Sequence, residues 1–301
     1  MAPRTPRVGL ALGGGGVRGL AHLGVLRVLE EAQIPIACIA GTSIGAIFGA
    51  MWARGHRAAA MEAEVRRLRQ IGTMLRLVDW VPSSRGLMPG HKVYRYLDDK
   101  LGPGLTFADL SIPLAVTSVD LANWQEVDFT TGPVLDAVRA SMSVPGLFVP
   151  VEIDGMRLVD GGFLNNVPVD LARALGADIV LAVDVDAHRR HDERPVRPAV
   201  DSPFPNYTPS LVLDLWQAAL VMSHAVKQCK YRETPPDLLL LPPIPATVGL
   251  LRGLARIDAV IDAGEAGMRA LLPRLQRLMR DFDAAADAGQ PRPLGEAHGP
   301  L

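Results

Sequence analysis

Short apolar runs alternate with longer segments of helical periodicity along most of the chain. In its first part, strand-like runs lie at 8–12 and 34–41, and each is followed by a helical segment, at 20–33 and 44–55. This order predicts a strand–helix–strand–helix unit with two parallel strands. Because such crossovers are right-handed, the loops that follow both strands leave the same edge of the sheet. We therefore expect the glycines at 13–16 to lie beside Ser43.

The rest of the chain continues this alternation and predicts an α/β fold. Strands are predicted at 112–121, 124–130, 156–160, 178–185 and 238–243, and helices at 58–72, 133–144, 168–176, 211–226 and 258–282. If the strand at 156–160 is parallel to its neighbours, Asp160 shares a sheet edge with Ser43. The apolar stripe of the helix at 211–226 is interpreted as part of the core.

Two segments between these elements lack a clear period. Residues 73–92 mix apolar side chains with turn residues and are the candidate for a cap over a site. Residues 188–209 are rich in charge and proline, which predicts a long loop rather than a domain linker. One domain is therefore expected over 7–283, and we expect the Pro-, Gly- and Ala-rich tail at 284–301 to be disordered.

Composition narrows the classes of partner and compartment. Of the 301 residues 49% are hydrophobic and 21% charged, and the formal net charge of −1 leaves no basic footprint for nucleic acid. Cys38 and Cys229 lie far apart without a C-x-x-C spacing, which predicts neither a disulfide framework nor a zinc site and favours a reducing, cytoplasmic compartment. No apolar run reaches the roughly 18 residues of a membrane span, so we expect any membrane contact to be peripheral.

The stretch from Gly41 to Gly45, GTSIG, is a G-x-S-x-G sequence between a predicted buried strand and a predicted helix. This is the setting of a nucleophile elbow, a sharp turn that exposes a serine at a helix N-terminus and whose glycines avoid steric overlap. As a bare string the motif is also compatible with an ordinary turn, but its strand and helix neighbours favour the elbow. Ser43 is therefore the candidate nucleophile.

A serine hydroxyl needs a base to attack at neutral pH. Asp160 ends a predicted strand and is followed by Gly161 and Gly162, which allow another segment to approach it closely. Partial burial would raise its pKa toward that of a workable proton acceptor, whereas the alternative role is a structural Asx turn. A conventional Ser-Asp-His triad stays open, although no downstream histidine follows a clear strand in a glycine-rich turn, and His22 is interpreted as a structural helix residue.

The glycine run has two interpretations. Gly14, Gly16 and Gly19 fit the G-x-G-x-x-G spacing of a dinucleotide site, but residues 36–42 at the end of the second strand contain no acid to hold a ribose. The same loop can instead hold the oxyanion of an acyl-transfer transition state. A dinucleotide-dependent oxidoreductase is therefore the weaker prediction.

Four sequence blocks connect these features. GGGGVRGLAHLGVL, GTSIGA, RASMSVPGLFVPV and DGGFLNNVPV stand in this order within residues 8–183. Their order and spacing resemble the blocks of the patatin-like phospholipases, and the resemblance implies a three-layer αβα fold with a mainly parallel sheet. It also implies a Ser43–Asp160 dyad without histidine. The further residues that it implies are an oxyanion-hole segment of Gly14, Gly15, Gly16 and Arg18 and the site-shaping residues Arg139, Pro145, Gly161 and Gly162.

The resemblance implies a lipid acyl hydrolase that acts on phospholipids, lysophospholipids or simpler esters without a metal or cofactor. The chain looks most similar to compact bacterial members and to the catalytic domain of neuropathy-target-esterase-like proteins. Two alternatives remain: a conventional hydrolase with a Ser-Asp-His triad, and a catalytically silent lipid-binding regulatory protein with the same fold. The Asn165–Asn166 pair is interpreted as structural.

Overall fold

The computed structural model describes residues 5–68, 79, 81, 86–186, 210–249 and 253–287. The strands in these ranges are β1 (Val8–Leu12), β2 (Ile36–Gly41), β3 (Gly86–Met88), β4 (Leu114–Asp120), β5 (Gln125–Phe129), β6 (Gly146–Phe148), β7 (Val151–Ile153), β8 (Met156–Asp160), β9 (Ile179–Val183) and β10 (Leu238–Leu240). The helices are α1 (Ala21–Glu31), α2 (Ile44–Arg54), α3 (Ala58–Leu68), α4 (His91–Leu101), α5 (Val134–Ser141), α6 (Val169–Ala174), α7 (Ser210–Glu233) and α8 (Ile257–Asp287).

The predicted alternation of strands and helices is present, with differences at several boundaries. Helix α5 ends at Ser141, earlier than predicted, and α8 continues to Asp287, past the predicted domain end at 283. Helix α3 is described as far as Leu68, and residues 69–72 of its predicted range lie outside the described residues. The strands β3, β6 and β7 were not predicted, because three residues are too few to show a period. The loop predicted at 188–209, most of the 73–92 candidate cap and residues 288–301 of the tail lie outside the described residues.

The central sheet is covered by helices on both faces, which confirms the predicted three-layer fold. Its parallel part has the order β10-β9-β1-β2-β4. Side chains alternate along β1: Leu10 and Leu12 pack in a core with α1, α2 and α8, whereas Ala11 packs in a second core with α6. Because both faces are buried, these strands are apolar throughout rather than alternating with polar residues.

Strand β4 organises the edge at which the candidate site lies. It pairs with β5 at both Val116 and Ser118, and the same two residues also pair with Gly41 of β2 and Asp160 of β8. Since a residue has one partner on each side, β5 takes one edge of β4, and β2 and β8 share the other. Strand β8 runs antiparallel to β4, so the condition under which Asp160 was expected to share a sheet edge with Ser43 is not met. Its antiparallel course nevertheless directs the carboxyl end of β8 toward that of β2.

Helix α7 departs from its predicted packing. Its apolar stripe was interpreted as core, but Leu211, Leu215 and Met222 are exposed, so that interpretation is wrong for this part of the stripe. The opposite side of the helix faces the protein and includes the buried residues Trp216 and Lys227. The period of the sequence identified the stripe correctly but could not show which side of the helix the sheet would cover.

Candidate active site

Ser43 lies on a strained turn between β2 and α2. Its backbone has φ 53° and ψ −120°, a conformation that typically costs a non-glycine residue about 1–3 kcal/mol. Two hydrogen bonds hold the turn: the Ser43 N–H donates to Ser141 Oγ at 2.8 Å, and Thr42 Oγ1 donates to the Asn165 carbonyl at 2.8 Å. The geometry is that of a nucleophile elbow.

The two glycines of the G-x-S-x-G sequence are required by close backbone packing. A Cβ atom on Gly45 would lie 2.1 Å from the Leu12 carbonyl oxygen, and one on Gly41 would lie 2.7 Å from Ala46 Cα. Both neighbours are backbone atoms, which cannot move aside without distorting β1 or α2. The motif therefore brings the elbow against the end of β1, where the glycine loop begins.

Asp160 lies directly beside Ser43. The Ser43 hydroxyl donates to Asp160 Oδ2 at 2.6 Å, and the Gly162 N–H donates to Asp160 Oδ1 at 2.8 Å. Both side chains are buried. Burial raises the pKa of Asp160 to about 6, although the hydrogen bonds from Ser43 and Gly162 lower it. The result is a carboxylate more basic than usual, bonded to the hydroxyl it would deprotonate.

No histidine in the described part of the chain hydrogen-bonds with Ser43 or Asp160. His22 is fully buried on α1, and its Nε2 lies 2.8 Å from the Gly13 carbonyl, consistent with the structural role predicted for it. Burial lowers the pKa of His22 to about 4. His188, His191 and His298 lie outside the described residues.

The glycine loop passes close to Ser43, and its amides differ in their partners. The Gly13 N–H donates to the Val183 carbonyl at 3.0 Å, and the Gly14 N–H donates to the Asn166 carbonyl at 3.1 Å. For the N–H groups of Gly15 and Gly16, no acceptor is found among the described residues. A Cβ on Gly14 would lie 3.2 Å from Ser43 Cβ. The amide of Gly14, although adjacent to Ser43, is therefore already bonded elsewhere.

Arg18 fixes the far end of this loop. Its Nε donates to the Val248 carbonyl at 2.9 Å, its Nη1 pairs with Asp186 at 2.8 Å, and its backbone N–H donates to the Gly15 carbonyl at 3.2 Å. These contacts connect the loop to the segment after β9 and to the connection before α8. The geometry gives Arg18 a positioning role and does not direct these donors toward Ser43.

Arg139 and Pro145, the predicted site-shaping residues, lie just before and in the segment between α5 and β6. Arg139 is buried and bonds with Ser143 Oγ and, at 2.7 Å, with the Pro89 carbonyl. Burial lowers the pKa of its guanidinium to about 10. The Ser143 carbonyl in turn accepts the Asp160 N–H at 3.0 Å, and Pro145 lies in the connection between α5 and β6. Arg139 therefore reaches Asp160 through Ser143, whereas Pro145 forms an isolated bridge with Phe148.

The glycines after Asp160 allow close packing of three segments. A Cβ on Gly161 would lie 2.5 Å from the Thr117 carbonyl oxygen, and one on Gly162 would lie 2.9 Å from Asn166 Oδ1. Asn166 thus contacts the Asp160 turn and also accepts the Gly14 amide through its carbonyl. The structural role predicted for the asparagine pair fits these contacts.

A cluster of charged side chains that bonds to Asn165 was not predicted from the sequence. The Asn165 side-chain amide donates to Glu126 at 2.6 Å and to Asp170 at 2.8 Å. Lys230 of α7 lies 2.8 Å from Glu126 and 2.7 Å from Asp170, so one lysine bridges both carboxylates. Since Asn165 also accepts the Thr42 hydroxyl, the cluster connects α7 to the residue before Ser43.

The described residues contain neither of two further features. No helix among them is long and apolar enough to cross a bilayer. No group of three or more His, Cys, Asp and Glu side chains within the same ranges is placed to hold a metal ion.

The fold and site define an α/β protein with a serine at a strand–helix elbow, hydrogen-bonded to an aspartate at a neighbouring strand end. A family model described as patatin-like phospholipase matches residues 10–173, and the chain belongs to this family. The family expected from the four sequence blocks is thereby confirmed.

Individual relatives agree with this assignment. An uncharacterised NTE family protein of Mycobacterium bovis is 37% identical over 202 residues, which are 67% of this chain and 55% of that protein. The lysophospholipase nte1 of Aspergillus fumigatus is 37% identical over 180 residues, 59% of this chain and 12% of that protein. The chain therefore spans about half the length of the first relative and a small part of the second.

A solved structure shows the same fold at low sequence identity. VipD from Legionella pneumophila superposes with a TM-score of 0.52 and 12% identity, covering 90% of this chain and 67% of that one. At this identity the similarity concerns the fold alone.

Proposed function

We propose that this protein is a serine lipid acyl hydrolase in which Ser43 and Asp160 form the catalytic dyad. The observation that carries the proposal is the 2.6 Å hydrogen bond from Ser43 Oγ to Asp160 Oδ2 on a strained elbow. Membership of the patatin-like phospholipase family supports lipid esters as the substrate class. The lysophospholipase name of the Aspergillus relative supports lysophospholipids as the first class to test.

In the first half-reaction Asp160 accepts the Ser43 proton while Oγ attacks the ester carbonyl carbon. The carbonyl oxygen becomes an oxyanion, which we assign to the N–H groups of Gly15 and Gly16 because those of Gly13 and Gly14 already have acceptors. The bond to the leaving alcohol then breaks, and that alcohol takes the proton from Asp160. The acyl group remains on Ser43 as an ester.

In the second half-reaction water replaces the alcohol. Asp160 accepts a proton from water while the water oxygen attacks the acyl carbonyl, and the same amides stabilise the second oxyanion. The bond to Ser43 Oγ breaks, Asp160 returns the proton to Oγ, and the fatty acid leaves. With a pKa of about 6, Asp160 is mostly ionised at neutral pH and is a stronger base than an ordinary carboxylate.

The test compares Ser43→Ala and Asp160→Asn with the wild type on lysophosphatidylcholine and on soluble p-nitrophenyl butyrate. Each variant should lose at least ~10³-fold in kcat, because each removes one half of a unit that acts together. For the wild type, kcat/KM should fall as pH drops through about 6, where Asp160 becomes protonated. Ser118→Ala is the matched control, since it removes another buried hydroxyl, one bonded to the Val159 carbonyl, and should retain most activity.

Three results would overturn the proposal. Full ester hydrolysis by folded Ser43→Ala would show that Ser43 is not the nucleophile. Loss of activity in His224→Ala together with an active Asp160→Asn would indicate a histidine-containing triad instead. Saturable binding of lysophosphatidylcholine without any turnover by the wild type would identify a lipid-binding protein that keeps the fold.

A further inference from the structure

Helix α7 presents an apolar face to solvent. Leu211, Leu215 and Met222 are separated by four and seven residues, so they lie on one side of the helix. Their exposed fractions are 68%, 63% and 68%. Val221, also exposed, borders this side. We call these four residues the outer face of α7.

The opposite side of α7 carries the polar contacts that hold the helix on the protein. Ser223 Oγ donates to the Gly162 carbonyl at 2.5 Å. Lys227 is 3% exposed and lies 2.8 Å from Asp184, and Lys230 bridges the carboxylates described above. The usual arrangement of a surface helix, with its apolar side inward, is therefore partly reversed over the first half of α7. Exposed apolar side chains grouped on one side of a helix make this side a candidate interaction surface.

The outer face lies directly behind the candidate active site. On the inner side, the ring of Trp216 packs edge-on against Phe163, with centroids 6.0 Å apart. Phe163 and Gly162 belong to the turn that follows Asp160. Since a helix is about 10 Å across, a surface bound to the outer face would lie only about one helix diameter from that turn.

We propose that the outer face of α7 docks on the surface of a lipid aggregate, from which the ester substrate enters the site. The lipid occupant rests on the proposed function, because the long-chain lipid esters of that function are held mainly in membranes and other aggregates. Between residues 211 and 225 the chain contains no lysine or arginine and a single acid, Asp214. Docking by this face therefore depends on apolar insertion and not on attraction to anionic headgroups.

The test measures vesicle binding separately from catalysis. Vesicles of pure phosphatidylcholine are mixed with protein that carries Ser43→Ala, so that no lipid is hydrolysed, and bound protein is separated by flotation. Adding Leu215→Asp with Met222→Asp should weaken binding at least about tenfold, because both side chains would leave the lipid. Gln217→Asp is the control: it adds one negative charge, as each of the two test substitutions does, at an exposed polar position of the same helix and should bind as before.

The same substitutions are then made in the active protein. The Leu215→Asp, Met222→Asp variant should hydrolyse vesicle-borne lipid at least about tenfold more slowly but soluble p-nitrophenyl butyrate at the wild-type rate. Leu215→Ser and Met222→Ser, each made alone and checked for folding by circular dichroism, should slow the hydrolysis of vesicle-borne lipid by a smaller factor and leave that of the soluble ester unchanged. If the proposed function is wrong and the protein is not a hydrolase, the wild type hydrolyses neither substrate, while flotation still reports lipid binding by the outer face, so the two proposals fail in different ways.

Two outcomes would overturn the docking proposal. Unchanged flotation of the folded double variant would show that the outer face does not bind lipid. A wild-type dimer that becomes monomeric in the double variant, with vesicle binding unchanged, would assign the face to a second copy of the chain.

Discussion

Ser43 and Asp160 are both held in states that an unconstrained chain avoids. Ser43 has a positive φ, and the buried carboxylate of Asp160 is bonded to a hydroxyl and an amide, neither of which is charged. Backbone hydrogen bonds from Ser43 to Ser141 and from Asp160 to Ser143 hold both residues in place. Strain of this kind persists where the surrounding structure over-determines it, and it is concentrated at functional sites.

The raised pKa of Asp160 predicts a pH-dependent gain of stability in Asp160→Asn. The ordinary pKa is 3.8 and the folded-state value is about 6, so between these values the unfolded state ionises more readily. The wild type therefore loses stability as pH rises from 4 to 6, by up to about 3 kcal/mol, and the loss persists above pH 6. Asp160→Asn escapes this loss. In urea unfolding it should exceed the wild type by roughly 1–3 kcal/mol at pH 8 and by little at pH 4.

An advantage of Asp160→Asn that is equal at the two pH values would contradict the raised pKa. The Ser118→Ala variant serves as the control, because it removes a buried group that does not titrate and should show the same stability change at both pH values.

The two dyad residues could be predicted from the sequence, but the contacts that position the glycine loop could not. Ser43 and Asp160 could be singled out because their flanking glycines are adjacent in sequence and mark sharp turns. The hydrogen-bond partners of the glycine loop could not be predicted in this way, since the Gly14 amide bonds to the carbonyl of Asn166, 152 positions away. Arg18 likewise finds its acceptors at Asp186 and Val248. Which amide stays available for an oxyanion is decided by such long-range contacts.

At the scale of elements, the site depends on two strands whose carboxyl ends face each other. A five-residue strand such as β8 has the same apolar pattern in either direction, so its antiparallel course was not predictable from periodicity. The direction follows from the short strand β7, which pairs antiparallel with β8 immediately before it in the chain. Asp160 reaches Ser43 because β2 and β8 share one edge of β4.

Lys230 fastens α7 to both β5 and α6. Burial opposes the charge of Lys230, but its ion pairs with Asp170 and Glu126 raise its pKa. Nearby, burial and the neighbouring Glu126 raise the pKa of Asp128 to about 6. The two carboxylates paired with Lys230 thus lie beside a third, Asp128, which makes the attachment of α7 sensitive to charge.

Lys230→Met should destabilise the protein by about 2 kcal/mol at pH 8, a value reduced from that of a fully buried pair because Lys230 is partly exposed to solvent. Without the lysine, mutual repulsion raises the carboxylate pKa values, and a raised folded-state pKa costs stability as pH increases. The loss should therefore be smaller at pH 5. Urea unfolding at both pH values tests this.

Arg232→Met provides the comparison for Lys230→Met. It removes an exposed cation two positions away on the same helix and should change stability by less than about 0.5 kcal/mol. Equal losses for Lys230→Met at pH 5 and pH 8 would show that the lysine contributes packing rather than charge compensation.

At the scale of the whole molecule, sheet topology extends the docking proposal to a second exposed feature. Strands β2 and β4 are parallel, so the turn between β4 and β5 leaves the sheet at the same edge as the Ser43 elbow. Trp124 in this turn is 90% exposed. Tryptophan combines a large apolar ring with an N–H group and is enriched at interfaces between lipid and water. The position of Trp124 suggests that this edge, together with the outer face of α7, is oriented toward the lipid surface.

Tryptophan fluorescence tests this orientation independently of the α7 variants. When wild-type protein binds phosphatidylcholine vesicles, Trp124 should pass from water into the interfacial region, so its emission should shift to shorter wavelength. Brominated acyl chains in the vesicles should quench part of that emission. Trp124→Phe should lack both effects but still float with the vesicles, because the outer face of α7 remains. If Trp124→Phe kept the full spectral shift and quenching, the β4–β5 turn would point away from the lipid, and the docking face would be confined to α7.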